Sequence, residues 1–120
     1  MTSDFVKAIM AKLNTIVTAY FEEAPKTAAM PYAVLQSASI RNDDVHEQVI
    51  LDVALYQADA PTLDVETMTD NIKTGLDKSI VSVLGKFSSV VSFESSDNTR
   101  DLDTDLVTRR FSFSARVFYL

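Results

Sequence analysis

The end of the sequence alternates apolar and polar residues with a period of two, and this pattern constrains the fold more than any other. Residues 107–119 read VTRRFSFSARVFY. Successive side chains of a β-strand point to opposite faces of a sheet. The run therefore predicts a strand with one polar and one apolar face, and the apolar face carries Val107, Phe111, Phe113, Ala115, Val117 and Tyr119.

Three further segments have the composition of strands. Residues 32–40 (YAVLQSASI) and 48–57 (QVILDVALYQ) are rich in residues that favour strands, and 88–94 (SSVVSFE) form a shorter candidate. The second of these places Val49, Leu51, Val53 and Leu55 on one face. It is therefore predicted to be a central strand.

Two segments have the three- and four-residue apolar spacing of amphipathic helices. The first helix is predicted to begin after a cap at Thr2 or Ser3 and to stop near Glu23, because the residue before a proline disfavours helical geometry and Pro25 follows. The second is predicted over residues 62–84, with Gly85 as its stop.

The order of these elements is helix, strand, strand, helix, strand, strand. Short connections between consecutive strands favour antiparallel neighbours. We therefore expect a single domain over residues 1–120 with an α+β fold. It would be a mainly antiparallel sheet of four strands or slightly more, with both amphipathic helices packed on one face.

A cluster of aspartates, Asp101, Asp103 and Asp105, lies in the acidic segment 94–105 (ESSDNTRDLDTD) and raises the question of a cation site. A helix-loop-helix calcium loop starting at Asp101 would need glycine at its sixth position and glutamate at its twelfth. Leu106 and Ser112 occupy those positions. The segment is therefore predicted to be a solvated loop, and no metal site is expected.

The composition also argues against catalysis and cofactor binding. The chain has no cysteine, only two glycines and a formal net charge of -6, which disfavour thiolate chemistry, phosphate-cradling loops and general phosphate binding. The one histidine, His46, stands beside carboxylates in a segment expected to be exposed. No catalytic residue, cofactor or membrane-spanning segment is predicted.

The polar face of the last strand is the strongest candidate for a functional surface. It carries Arg110, Ser112, Ser114, Arg116 and Phe118 in a protein that is acidic overall. Arginine can form bidentate bonds to carboxylates of a partner, for instance in the acidic segment of a neighbouring copy, where Asp101, Asp103 and Asp105 lie. The alternative is an ordinary solvated sheet face.

The apolar residues beside this stripe leave a second choice open. Phe118 and Leu120 lie on the polar face of their strand, and Ile50 and Tyr56 lie on the second face of theirs. Together these side chains can form a larger apolar patch than a lone domain usually exposes. The alternative is that the first helix covers them.

Several stretches in this order resemble the tail terminator, or tail completion, proteins of long-tailed bacteriophages and related tail-like particles. The stretches are YFEEAP, MPYAVLQ, VILDVALYQAD, VETMTDNIKTGLDK and DNTRDLDTDLVTRRFSFSARVFYL. The resemblance implies a non-enzymatic virion subunit, made in the host bacterial cytoplasm, that forms a homohexameric ring on the head-proximal end of the tail tube. Its implied partners are other copies of itself, the tail tube protein and the head-tail connector protein, with DNA passing through the lumen without specific binding.

Two other functions remain open from the sequence. The first is a head-closure, connector or tail tube subunit built from similar elements. The second, from a different class, is a small-molecule-binding module with His46 or Tyr56 as polar anchors.

Overall fold

The alternating C-terminal run lies inside a six-stranded sheet in the computed structural model, which describes residues 3–28, 31–42, 46–58, 62–101 and 106–119. The helices are α1 (Ser3–Asn14) and α2 (Thr62–Leu76). The strands are β1 (Ala19–Phe21), β2 (Tyr32–Asn42), β3 (His46–Ala58), β4 (Ser79–Val83), β5 (Phe87–Asp101) and β6 (Leu106–Tyr119). Their order across the sheet is β1-β2-β3-β6-β5-β4, with β1 parallel to β2 and every other neighbouring pair antiparallel.

The core lies between the two helices and one face of this sheet. The period-two pattern of β3 and β6 puts their apolar side chains on that face, and the helices add Phe5, Ile9 and Leu13 from α1 and Ile72 and Leu76 from α2. All five of these helical side chains are 0% exposed, so each contributes on the order of 1.5–3 kcal/mol of burial free energy. The sheet face carries Ala33, Leu35, Val49, Leu51, Val53, Leu55, Val81, Phe87, Val91, Phe111, Phe113, Ala115 and Val117.

The predicted sheet has too few strands, and its mainly antiparallel pattern omits one parallel pair. The fold is α+β, but the sheet is a curled, mixed sheet of six strands, and β1 joins it in parallel. The added strands β1 and β4 lie at the two edges, in segments that the sequence assigned to the ends of the helices. The apolar residues of these edge strands continue the three- and four-residue spacing of the preceding helices. Over so few residues this spacing does not distinguish a short strand from a further helical turn.

Both helices end earlier than predicted because local hydrogen bonds turn the chain. Asn14 ends α1, where its Oδ1 accepts a bond from the Ala19 backbone nitrogen at 2.9 Å. Helix α2 ends at Leu76, and Lys78 then adopts a left-handed φ of 56° that redirects the chain into β4. Gly85, predicted as a helix stop, lies instead in the turn between β4 and β5 with φ of 76°.

The acidic segment was predicted to be a loop, and this prediction is wrong for its first part. Strand β5 runs through to Asp101, paired with β6 from Phe87–Tyr119 to Asp101–Leu106. Backbone pairing with β6 therefore overrides a composition that usually marks a loop. Asp103 and Asp105 lie outside the described residues.

The hairpin of β5 and β6 contains one irregularity. Phe93 pairs with Phe113 but Ser95 pairs with Ser112, so Glu94 is an extra residue in β5. The Phe93 backbone nitrogen donates to Asp77 Oδ1 at 2.9 Å, which anchors this bulge to the turn after α2.

Neither described helix combines the length and the apolar character needed to cross a membrane.

Candidate subunit interface

The face of the sheet opposite the two helices is called the open face, because no described helix packs on it. Its centre is the polar side of β6, where Arg110, Ser112, Ser114, Arg116 and Phe118 follow one another at every second residue. Arg110 and Arg116 are exposed, Phe118 is 39% exposed and the two serines are half-buried. The structure thus brings these five predicted residues together on one face.

One half of the open face surrounds Arg110. In the sheet register Arg110 lies between Asp97 of β5 and Ala54 of β3, and the next row places Ser112 beside Asp52. Residues of β2, β3, β5 and β6 all line a depression of about 290 Å³ here. The open face is therefore concave at this end. Each strand beside Arg110 carries a carboxylate, Asp97 in the same row and Asp52 in the next row.

The other half surrounds Arg116, which lies between Gln48 of β3 and Val90 of β5. A second, shallower depression of about 550 Å³ is lined here by both polar and apolar side chains, including Phe118. The bulge turns Glu94 onto this face, where its Oε1 accepts a bond from Ser114 Oγ at 2.7 Å. This end is thus more apolar than the end around Arg110.

Neither Arg110 nor Arg116 forms an ion pair or a side-chain hydrogen bond with any residue that the structure describes. Arg109, which points to the helical side, behaves differently: it pairs with Glu66 of α2 at 2.5 Å and is only 17% exposed in its side chain. The hydrogen-bond donors of the two arginines on the open face are therefore accessible to solvent or to a binding partner. Burying these guanidinium groups in an interface is favourable only if the interface supplies carboxylates or other hydrogen-bond acceptors.

The predicted acidic residues lie elsewhere. Asp101 is the last residue of β5, paired with Leu106, and so lies at the far end of the β5–β6 hairpin. Asp103 and Asp105 fall in the stretch that the structure does not describe. The carboxylates nearest in register to Arg110 are instead those of Asp97 and Asp52, and no local sequence pattern predicts this proximity because it depends on the strand register.

A row of tyrosines crosses one end of the sheet. The Tyr32 and Tyr56 rings stack with centroids 5.2 Å apart, and Tyr20 meets Tyr32 edge-on at 6.0 Å. Such pairs add about 0.5–1.5 kcal/mol beyond the area they bury. Tyr56 thus holds the sheet together while also lining the depression beside Arg110.

The residues proposed as anchors for a small molecule do not converge. His46 and Tyr56 both lie on the open face, but ten residues apart along β3, which is about 34 Å at the rise of an extended strand. His46 lies beside Phe118, with ring centroids 5.6 Å apart. Ile50 and Phe118 are not covered by α1, which packs on the opposite face.

Among the carboxylates whose side chains the structure describes, the most buried is that of Glu47, at the start of β3 on the helical side, with 0% exposure. Burial raises its pKa, but hydrogen bonds, including those from Tyr119 and Ser39, lower it more, so the pKa of Glu47 lies below its ordinary value. Tyr119 Oη donates to Glu47 Oε1 at 2.5 Å. This carboxylate ties the ends of β3 and β6 together, which is a structural role.

Within the described stretches no group of three or more His, Cys, Asp or Glu side chains is arranged to hold a metal ion. The open face carries two arginines, serine hydroxyls, scattered carboxylates and a partly exposed phenylalanine. Such a mixture of aromatic, arginine and hydrogen-bonding groups is typical of protein–protein contact surfaces.

The family of the chain follows from comparisons with known proteins. No curated protein matches the sequence. Among solved structures, a chain in one described as "Virion of native gene transfer agent (GTA) particle" has a similar fold, with a TM-score of 0.70 at 13% sequence identity. The match covers 98% of this chain and 99% of that one. Residues 6–118 match the family described as "Tail completion protein gp17", which is nearly the whole sequence. The chain therefore belongs to the tail completion protein gp17 family.

Proposed function

We propose that this protein is the tail terminator of a phage-type particle. In this role it forms a ring, a homohexamer, on the head-proximal end of the tail tube, stops tube growth and offers a docking surface to the head connector. Membership of the tail completion family supports a structural, tail-related virion protein. Ring formation, the head-proximal position and a non-enzymatic role are the further steps that the proposal adds.

The observation that carries the proposal is the open face. A six-stranded sheet is covered on one face by both helices, while the other presents two exposed arginines without partners among the described residues. The predicted interface residues Arg110, Ser112, Ser114, Arg116 and Phe118 are aligned there. We assign this stripe to contact with a neighbouring subunit, since arginine and aromatic side chains carry much of the binding energy at protein contacts.

The acidic end of the β5–β6 hairpin is assigned to the same assembly. Asp101 ends β5, and the sequence places Asp103 and Asp105 directly after it. In a ring whose lumen contains such residues, the net charge of -6 disfavours adhesion of DNA phosphates. DNA would then pass through without specific binding.

Electron microscopy of the purified protein, alone and mixed with purified tail tubes, tests the role directly. A terminator gives closed rings at one end of each tube and blocks further addition of tube protein. Long tubes formed by the protein alone would contradict the proposal and identify a tube subunit. Binding to the head connector without any effect on tube length would identify a connector subunit.

Charge reversal tests the stripe. Arg110→Glu and Arg116→Glu should each shift the mass measured by light scattering toward the monomer and abolish tube capping. Lys26→Glu is the matched control, because it makes the same charge change at an exposed residue outside the strands. Variants of the stripe that assemble and cap like the control would exclude these arginines from the interface.

A further inference from the structure

The two edges of the sheet carry unlike apolar surfaces. The first, called the basic edge surface, comprises Ile80, Leu84 and Val90 with Lys78 and Lys86. Ile80 of β4 is 71% exposed, Leu84 in the following turn is 100% exposed and Val90 of β5 is 46% exposed. Large exposed apolar side chains at a sheet edge are typical of surfaces that bind other proteins.

The basic edge surface is continuous with the stripe on the open face. In the sheet register Ile80 pairs with Val90, and Val90 pairs with Arg116. Phe118 lies one row further along β6 and lines the same depression as Val90 and Arg116. A partner that contacts Arg116 and Phe118 can therefore extend onto β4 without interruption.

The second surface, called the acidic edge surface, lies where α1 meets β1 at the opposite edge of the strand order. Val6, Met10, Ala11 and Phe21 line an apolar groove of about 520 Å³ there, together with the stem of Lys7. Phe21 is 38% exposed, and the two residues that follow it, Glu22 and Glu23, are both exposed. The acidic edge surface is thus an apolar groove beside two carboxylates.

The charges around the two surfaces are complementary. The basic surface has two lysines, Lys78 and Lys86, against one carboxylate, that of Asp4, which lies 3.8 Å from Lys86. The acidic surface has two glutamates against one lysine. One surface is therefore net positive and the other net negative, each around an apolar centre.

Backbone strain marks the same two places. Among the described residues, the non-glycine residues with positive φ are Glu22, at 66°, and Lys78, at 56°. A left-handed conformation costs roughly 1–2 kcal/mol for a residue with a Cβ. Each strained residue adjoins an edge strand and presents a charged, exposed side chain.

We propose that the basic edge surface of one subunit docks onto the acidic edge surface of a second copy of this chain. The inference rests on the proposed ring and names the two surfaces that build it. Two different surfaces, here at the first and last strands of the sheet order with α1 in contact with both strands, are what a head-to-tail interface requires, because each subunit then uses one surface toward each neighbour. A two-fold symmetric dimer would instead bury one surface against itself and leave the other exposed.

Mixing two defective variants tests the head-to-tail arrangement. Leu84→Asp disables the basic surface without changing the core, because Leu84 is fully exposed. Glu22→Lys combined with Glu23→Lys disables the acidic surface, also at exposed residues. Each variant alone should self-associate about tenfold or more weakly than the unaltered protein in sedimentation velocity. An equimolar mixture should form heterodimers through the one intact pair of surfaces.

Ile40→Asp is the matched control, because Ile40 is 59% exposed on β2 and belongs to neither surface. It should assemble like the unaltered protein. Lys78→Glu with Lys86→Glu should weaken assembly, and mixing this variant with the Glu22/Glu23 reversal should restore it by exchanging the charges.

Two results would overturn the inference. The first is rings of unaltered size from the Leu84 or Glu22/Glu23 variants, and the second is a mixture that stays monomeric while the unaltered protein assembles. Tube capping by the same variants separates the two proposals. Variants that cap tubes normally contradict the surfaces but leave the terminator function standing, whereas failure of the unaltered protein to cap tubes contradicts the function.

Discussion

The substitution Gly75→Ala should show an energetic coupling between α2 and Ile16, which lies in the turn after α1. A Cβ added to Gly75 would lie 2.8 Å from Ile16 Cδ1 and 3.9 Å from Ile16 Cγ1. Carbon atoms prefer separations of about 3.5–4.0 Å, so Cδ1 must move by about 1 Å. Because Cδ1 is the end of a flexible, half-buried side chain, we expect the cost to lie near the low end of about 1–3 kcal/mol for overpacking.

This cost offsets the gain in helix propensity, which is at most about 1 kcal/mol when alanine replaces glycine. Gly75→Ala alone should therefore leave the free energy of unfolding nearly unchanged. Ile16→Val removes Cδ1 and on its own costs about 0.5–1.5 kcal/mol. In that background the clash is gone, and Gly75→Ala should then stabilise the protein by about 1 kcal/mol.

Urea unfolding of the four proteins in this double-mutant cycle, followed by circular dichroism, measures the coupling. We expect about 1 kcal/mol of favourable interaction between the two substitutions. The control cycle replaces Ile16→Val by Ile40→Val, which alters an exposed residue remote from Gly75 and should give additive effects. Additivity within about 0.5 kcal/mol in the Ile16 cycle would refute the packing argument.

Two further predictions concern side-chain hydrogen bonds to the strands of the sheet. Asp77→Ala should destabilise the protein by about 1–3 kcal/mol, because it leaves the Phe93 backbone nitrogen at the bulge without its acceptor. Asp77→Asn keeps an acceptor and should cost less than half as much. Urea unfolding of both variants measures the two losses of stability, and equal losses would contradict the prediction. Since the folded-state pKa of Glu47 lies below its ordinary value, its charge stabilises the fold fully above about pH 5, and this contribution disappears as the pH falls through the folded-state pKa. Glu47→Gln should therefore flatten the rise of unfolding free energy with pH in the acidic range, and an unchanged slope would show that Glu47 does not carry the effect.

The parts of the fold that follow from local pattern were predictable. The alternation in β3 and β6 assigned the buried face correctly, since Val49, Leu51, Phe111 and Phe113 all lie in the core. The same alternation placed Arg110 and the other stripe residues of β6 on the opposite face. Every second side chain of these strands must be apolar for the sheet to bury one face. The alternation is therefore visible in the sequence of each strand, even when the strands paired with it are unknown.

The parts that depend on distant pairing were not predictable. Strand β1 exists because Ala19–Phe21 pairs with β2, and β4 exists because Ser79–Val83 pairs with β5. Neither segment is long enough to show its own period. The neighbours of Arg110 depend on the register of three strands and on the bulge at Glu94, which no local pattern specifies.

Strand β6 has one further consequence, for mechanics. The steps between its 14 residues extend over about 44 Å at the rise of an antiparallel strand, close to the 47 Å greatest dimension of the molecule. It is bonded along its length to β3 on one side and to β5 on the other. A pulling force along this direction loads those hydrogen bonds in shear, so they must break together and not one after another. We therefore expect the subunit to resist extension along the direction of β6.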